Sequence, residues 1–239
     1  SALRAAYSVP HGPLVSPPRV VTRGQGNWLR ALAASPPGSR YMGAKIFGFG
    51  RAKSVSYLIA LFEQETGALA ALVDANLITA YRTAATSAVA VDRLAVAGPA
   101  SLGVLGSGLE AQMHVRAIAS IRPIGAMRVF SPTPANREAF AANLGRELGI
   151  GCVPVDSAEK AVAGASIVVA AARSHDETPI LRGRWLREGM LVVSIGSTLP
   201  EQREIDEDVV AACDLIICDI CEEVIEETGD MLAAKAAGV

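Results

Sequence analysis

The sequence predicts an α/β protein: a doubly wound, parallel-sheet domain preceded by a smaller strand-rich lobe. Three observations carry this. From about Ala97 to about Asp219, short apolar runs alternate with helical stretches, and strands that are apolar on both faces and separated by helices belong to a parallel sheet covered on both sides. Before that point the chain carries strand and turn signals with only one long helix. With 239 residues, 51% hydrophobic and 19% charged, it has the length to bury a core as one large or two small domains.

The first forty residues are rich in Pro, Gly and Ser, as in "VPHGPLVSPPRVVTRGQG", and read as extended segments and turns. "YMGAKIFGF" and "SVSYLIALFEQETGALAALVD" then read as strands, with "ETG" as a turn between two of them. Alternation along the first puts Lys45 on the face of Tyr41, Phe47 and Phe49, and a charge on an aromatic face needs a partner. A small-residue helix over about 77–95, "LITAYRTAATSAVAVDRLA", closes this lobe of residues 1–96 and carries a lone Arg82.

The second domain, 97–225, offers six runs as strands: "SLGVLG", "MRVFS", "GCVPVD", "SIVVAA", "MLVVSIGS" and "DLIICD". "LEAQMHVRAIASI", "PANREAFAANLGREL" and "SAEKAVAGA" are the intervening helices.

With 22 basic and 24 acidic residues the net charge is -2, which gives no electrostatic footprint for nucleic acid or an anionic membrane. No apolar run approaches the roughly 20 residues of a membrane helix. The opening "SALRAAYS" lacks a signal pattern, so the chain reads as cytoplasmic. Cys152, Cys213, Cys218 and Cys221 read as buried thiols around the apolar "LIICD" strand; with His11, His114 and His175 scattered, no metal site is expected.

The sharpest motif is "LGVLGSGLEAQMHV", where Gly106-x-Gly108-x-x-Ala111 follows a strand and opens a helix. Gly106 permits the tight turn, Gly108 lets a pyrophosphate approach bare backbone, and Ala111 allows close helix–strand packing. Ser107 and Leu109 complete the loop, and the helix N-terminus offers N–H groups and a positive dipole end. In "RVFSPTPANREAF" the next strand ends at Ser131 with no carboxylate before Glu138. Ser131, Thr133 and Arg137 suit a 2′-phosphate, which favours NADP over NAD.

Taken in series, these motifs resemble the ornithine cyclodeaminase/mu-crystallin family. "ETGALAALVDANLITAYRTAATSAVAVDRLA" followed by "LGVLGSGLEAQ" carries the resemblance, extended by "PILRGRWLREGMLVVSIGS", "EID", "ETGDM", "PPRVV" and "GAKIFGF". The resemblance implies a dimerising substrate lobe and a Rossmann-type lobe, with a small amino or imino acid held between them beside the nicotinamide of NADP or NAD. It implies that Arg82 binds the substrate carboxylate, with Lys45 and Arg19 assisting and Lys45 donating near the imine. Thr83 is expected to reach the cofactor from the helix, and Gly196, Ser197 and Thr198 to lie near the nicotinamide. It also implies that 226–239 begins a segment returning to the first lobe, which the chain leaves truncated, and that the protein is a homodimer.

One departure separates the activities the resemblance offers. The cyclodeaminases have an aspartate two residues after the glycine aligned with Gly196, and here that position is Thr198 in "SIGSTLPEQREID". A hydroxyl is a poor general base near neutral pH. Reducing a preformed ketimine asks less proton handling of the protein, so an NAD(P)-dependent cyclic ketimine reductase or amino-acid dehydrogenase is favoured. Ornithine cyclodeaminase is the alternative, and a non-catalytic NADP- and ligand-binding protein a further one. Glu201, Glu204 and Asp206 lie near in sequence, and a substitute catalytic role for one of them is the lesser alternative to a structural reading, in which Thr198-x-x-Glu201 is a capping box and Asp206 the cap of "EDVVAA".

Overall fold

The computed structural model describes residues 2–10, 12–52, 54–174 and 176–239, so His11 and His175 lie outside the described residues. The chain forms two compact units, Ser1–Arg82 and Thr83–Val239. The division falls inside the long helix α2 (Asn76–Leu94), not after it at 96/97.

The first unit opens with helix α1 (Ala2–Tyr7), where the sequence suggested only extended chain; "ALRAAY" is made largely of strong helix formers. An antiparallel meander follows: β1 (Val20–Gly24), β2 (Asn27–Ala34), β3 (Tyr41–Phe49), β4 (Val55–Glu63) and β5 (Leu69–Asp74), in that spatial order. The "ETG" turn joins β4 to β5, and Gly67 supplies its left-handed residue at φ 71°. Ladder register sorts the side chains onto two faces. Arg30 lies opposite Phe47 and Phe47 opposite Tyr57, with Trp28 opposite Phe49. Trp28 stacks on Phe49 at 5.7 Å, and Phe47 on Tyr57 at 4.9 Å. The other face carries Leu29, Ala31, Ile46, Leu58, Ala60 and Leu72.

The second unit is a parallel sheet of β6 (Ala100–Leu105), β7 (Ile124–Phe130), β8 (Cys152–Pro154), β9 (Ile167–Ala170) and β10 (Leu191–Ser194). Their spatial order is β10-β9-β6-β7-β8, so the winding reverses between β6 and β9. Period-two alternation explains why these strands are apolar throughout. Leu102, Val104, Ile167 and Val169 enter one core with Val91 of α2, Val115 and Ile118 of α3 (Leu109–Ala119), and Phe140 and Leu144 of α4 (Pro134–Leu148). Leu105, Val168 and Ala170 enter a second core. Their partners there are Ala161 of α5 (Ala158–Val162), Val209 of α6 (Glu207–Ala211) and Ala234 of a C-terminal helix. Each large aliphatic side chain so buried contributes about 1.5–3 kcal/mol.

Two expectations are corrected here. "DLIICD" forms no strand: Leu215, Ile216 and Ile217 are 63, 44 and 59% exposed, and no ladder joins them to β10. An apolar run becomes a strand only when another strand satisfies its backbone. Without that strand the nearby thiols are not buried either, Cys213 and Cys221 being exposed and Cys218 half-buried. Beyond this segment, α7 (Cys221–Glu227) and α8 (Gly229–Ala236) pack on each other, and Ala234 of α8 joins the second core; residues 226–239 therefore pack within the second unit. Among the described residues no helix is long and apolar enough to cross a membrane.

Candidate functional site

The glycine loop leaves β6 at Gly106, whose φ is 115°. A Cβ there would stand 2.6 Å from the Ala171 carbonyl oxygen and 3.0 Å from the Ala172 Cβ, so both backbone angle and space demand glycine. Gly108 is different in kind. It is the extended N-cap of α3, no side chain caps the helix, and nothing lies within 4 Å of where its Cβ would be. Ala111, fully buried, seats α3 against the sheet. An uncapped helix N-terminus facing open space beside bare backbone fits a diphosphate, and Leu109 stands 48% exposed at its mouth.

The Ser107 hydroxyl donates to Ser131 Oγ at 3.1 Å, joining the loop to the end of β7. Ser131 is buried, and Arg137 Nη1 donates to its carbonyl oxygen at 3.0 Å. Thr133 is the exposed N-cap of α4, with no side-chain cap bond. The three residues read as a 2′-phosphate bay are thus gathered at one strand end, with the Ser131 hydroxyl turned inward toward Ser107.

Beyond β10 the chain is built around Glu204, which is fully buried. Its carboxylate accepts from Ala172 N (2.9 Å), Ser194 Oγ (2.7 Å), Ile195 N (2.9 Å) and Gly196 N (2.8 Å). Burial pushes this carboxyl up to about 7 despite those hydrogen bonds, which pull the other way. A Cβ on Gly196 would come within 2.4 Å of Glu204 Oε1, so glycine is needed there for room. Asp230, its own pKa raised by burial, accepts from the backbone N–H of Glu204 at 2.9 Å and from Arg203 Nε at 3.3 Å. Ser197 Oγ donates to the Gln202 carbonyl and accepts from Asp230 N.

Thr198 is exposed, and both its N–H and its hydroxyl donate to Gln202 Oε1 at 2.9 Å. The capping box expected at Thr198-x-x-Glu201 does not form, because the segment is a turn closed by Gln202 N on Leu199 O with Pro200 second in the turn. Asp206 does cap α6, accepting from Val209 N at 3.1 Å and also from Gly183 N at 2.9 Å.

In the first unit, Lys45 places its Nζ 4.8 Å from the Phe47 ring and 5.7 Å from the Tyr57 ring. Arg19, half-buried, immediately precedes β1. Arg82 sits on α2 with its side chain exposed. Thr83, next along the helix, is half-buried, with its carbonyl oxygen 3.3 Å from Ser87 Oγ.

Two residues at the site have a role that the sequence did not reveal. One is Glu204, masked by its charged neighbours in "REID". The other is His114, wholly buried, with Nδ1 2.7 Å from the Glu110 carbonyl and Nε2 3.0 Å from Ser87 Oγ. Burial lowers its pKa. Because a carbonyl only accepts, Nδ1 carries the proton and Nε2 takes that of Ser87, which ties α2 to α3 behind the glycine loop.

Comparison with known proteins matches this architecture. Residues 4–238 fit the model of the ornithine cyclodeaminase/mu-crystallin family. Ketimine reductase mu-crystallin from Mus musculus is 31% identical over 178 residues, 74% of this chain and 55% of the mouse protein, so the chain spans about half the length of the curated relatives it matches. The solved Thermococcus litoralis Δ1-pyrroline-2-carboxylate reductase, in complex with NADH and L-proline, superposes with a TM-score of 0.86 at 28% identity, covering 93% of this chain and 71% of that one. A probable ornithine cyclodeaminase from Bordetella pertussis Tohama I gives a TM-score of 0.83 at 32% identity, over 92% and 70% of the two chains. The glycine loop, the reversed strand order and a match along almost the entire length lead to one assignment: the chain belongs to the ornithine cyclodeaminase/mu-crystallin family.

Proposed function

We propose that the protein is an NAD(P)H-dependent reductase of a small cyclic ketimine carboxylate, also able to run as an amino-acid dehydrogenase in the reverse direction. The observation that carries this reading is Thr198. Its hydroxyl is committed to Gln202 at 2.9 Å, and no carboxylate occupies the position two residues after Gly196. Ornithine cyclisation requires proton transfers on two amines, whereas a ketimine arrives already unsaturated and needs one proton at nitrogen and one hydride at Cα. The names of the mouse and Thermococcus relatives support the same reading.

When bound, the dinucleotide supplies the hydride. The chain's own residues bind and orient. The Gly106–Ala111 loop and the N-terminus of α3 hold the diphosphate, Thr83 adds a contact from α2, and Ser131, Thr133 and Arg137 receive a 2′-phosphate, which favours NADPH over NADH. Gly196 and Ser197 shape the nicotinamide side. Arg82, exposed on α2, clamps the substrate carboxylate in two parallel hydrogen bonds. Lys45, steadied over Phe47 and Tyr57, donates toward the imine nitrogen, and Arg19 adds positive charge beside the carboxylate. Thr198 holds a hydroxyl at the reacting edge without acting as a base. The apolar sheet face of Leu29, Leu58 and Leu72, each at least 40% exposed, serves as the pairing surface of a homodimer.

The test is oxidation of NADPH and NADH by the purified protein with five- and six-membered cyclic ketimine carboxylates, run beside ammonia release from ornithine with NAD+. Reductase turnover with little ammonia is expected. Ammonia release at a comparable rate overturns the assignment in favour of a cyclodeaminase.

A further inference from the structure

We infer that Glu204 is a positioning residue for the nicotinamide half of the bound dinucleotide, acting by fixing the peptide planes at the carboxyl ends of β9 and β10. This rests on the dinucleotide reading above.

In a doubly wound sheet each mononucleotide half of the ligand lies over one half of the sheet, outside the carboxyl ends of its strands. The glycine loop and the Ser131 bay belong to β6 and β7, which places the adenosine there and leaves the crests of β9 and β10 to the nicotinamide. Glu204 joins those two crests from beneath. Oε1 accepts the Ala172 N–H beyond β9, and Oε2 accepts the Ser194 hydroxyl and the Ile195 and Gly196 N–H groups at the end of β10.

A peptide is planar and trans, so each N–H drawn toward Glu204 turns the carbonyl of the preceding residue the opposite way. The Gly196 N–H therefore aims the Ile195 carbonyl away from Glu204, as an acceptor able to take an N–H of the nicotinamide carboxamide. The Ala172 N–H likewise aims the Ala171 carbonyl away, and that oxygen is the atom 2.6 Å from the position a Gly106 Cβ would take. One buried side chain thus sets two carbonyls.

Above about pH 7, where this carboxyl is ionised, the arrangement is specific to a carboxylate. Four donors converge on Glu204, and a carboxylate has two acceptor oxygens with about four lone-pair sites between them. A neutral amide of the same shape has one acceptor oxygen and an NH2 group that must face at least one of the donors. The anchor is itself anchored: Asp230 Oδ1 accepts from Glu204 N and from Ile205 N (3.3 Å), and the Glu204 carbonyl accepts from Ile180 N at 2.8 Å. None of these groups is an exposed acid that a solvent-facing role would explain.

The experiment compares two ligands that share the adenosine diphosphate and ribose but differ in the nicotinamide: ADP-ribose and NADH as the reduced dinucleotide. Both are titrated calorimetrically at pH 8, above the Glu204 pKa of about 7, against the unsubstituted protein, Glu204→Gln and Ser194→Ala, and thermal unfolding is recorded for each. For Glu204→Gln the affinity for the reduced dinucleotide is expected to fall by roughly ten-fold or more while that for ADP-ribose changes by less than about two-fold. Ser194→Ala removes one donor and leaves the backbone intact, so it is expected to shift the same ratio in the same direction by less. Equal losses for both ligands, tracking the loss of thermal stability, reduce Glu204 to a fold-supporting residue and overturn the inference. So does an unchanged ratio in both variants. If the unsubstituted protein binds neither ligand, the dinucleotide reading itself fails and takes this inference with it; if it binds both, a failure concerns Glu204 alone.

Discussion

Gly106 and Gly108 stand two residues apart in one loop, yet replacing each with alanine is expected to have opposite consequences. At Gly106 the added methyl meets the Ala171 carbonyl oxygen at 2.6 Å with φ at 115°. Holding a non-glycine residue at such an angle costs about 1–3 kcal/mol, and displacing close-packed backbone costs about another 1–3 kcal/mol. Against a typical stability of about 5–15 kcal/mol, the expected total of about 2–6 kcal/mol lowers the melting temperature by at least about 5 °C. At Gly108 the backbone is ordinary extended chain and the methyl meets nothing within 4 Å. Stability should then change by no more than about 0.5 kcal/mol. The methyl does intrude where a diphosphate would lie, so dinucleotide affinity should drop by roughly ten-fold or more. Urea unfolding and calorimetric titration of both variants read the two quantities separately. A Gly106→Ala protein as stable as the parent, or a Gly108→Ala protein that binds dinucleotide as tightly, refutes this division of labour.

Arg82→Lys keeps the charge but loses the two-pronged geometry, and is expected to raise KM for the ketimine by roughly 10- to 100-fold with a smaller change in kcat; an unchanged KM in steady-state assays removes Arg82 from the substrate site. Arg137→Ala is expected to weaken NADPH binding by roughly ten-fold while leaving NADH unaffected, and a parallel loss of both removes it from the 2′-phosphate bay. The raised Glu204 pKa carries a pH dependence. Its ordinary value is 4.5 and its folded value about 7, so between them the native state holds a proton that the unfolded chain has released. Stability from this group is complete below about 4.5 and is lost as pH rises through about 7, by about 3 kcal/mol. Asp230, also raised by burial, acts in the same direction. Denaturation curves at pH 5 and pH 8 check this, since Glu204→Gln should flatten the difference; a wild-type protein more stable at pH 8 by that margin contradicts it.

What the sequence revealed was whatever a short stretch decides for itself. The glycine loop was legible because a tight turn, a bare backbone and a small helix-packing residue must occur at fixed offsets, and Gly106, Gly108 and Ala111 do so. Asp206 was legible as a cap because its acceptor and the Val209 N–H are three residues apart. The doubly apolar strands were legible because period two feeds two cores at once. Glu204 was not, since its donors come from eight to 32 positions away and nothing local separates it from an ordinary solvated acid. At Thr198 the local pattern was satisfied and still misled, because a turn through Pro200 with Gln202 as partner took the place of the helix. "DLIICD" failed for a related reason: its pattern is that of a strand, but a strand is a property of a pair.

That exposed apolar run is an aggregation hazard. β10 closes one side of the parallel sheet, so among the described residues a row of its backbone groups has no neighbouring strand. Further along the chain, beyond α6, Leu215, Ile216 and Ile217 present branched apolar side chains to water. An open sheet edge and a β-prone segment of low charge are the two halves of an intermolecular zipper. Turbidity on concentration should therefore respond to a charge introduced at Ile216 far more than to salt or to the near-neutral net charge.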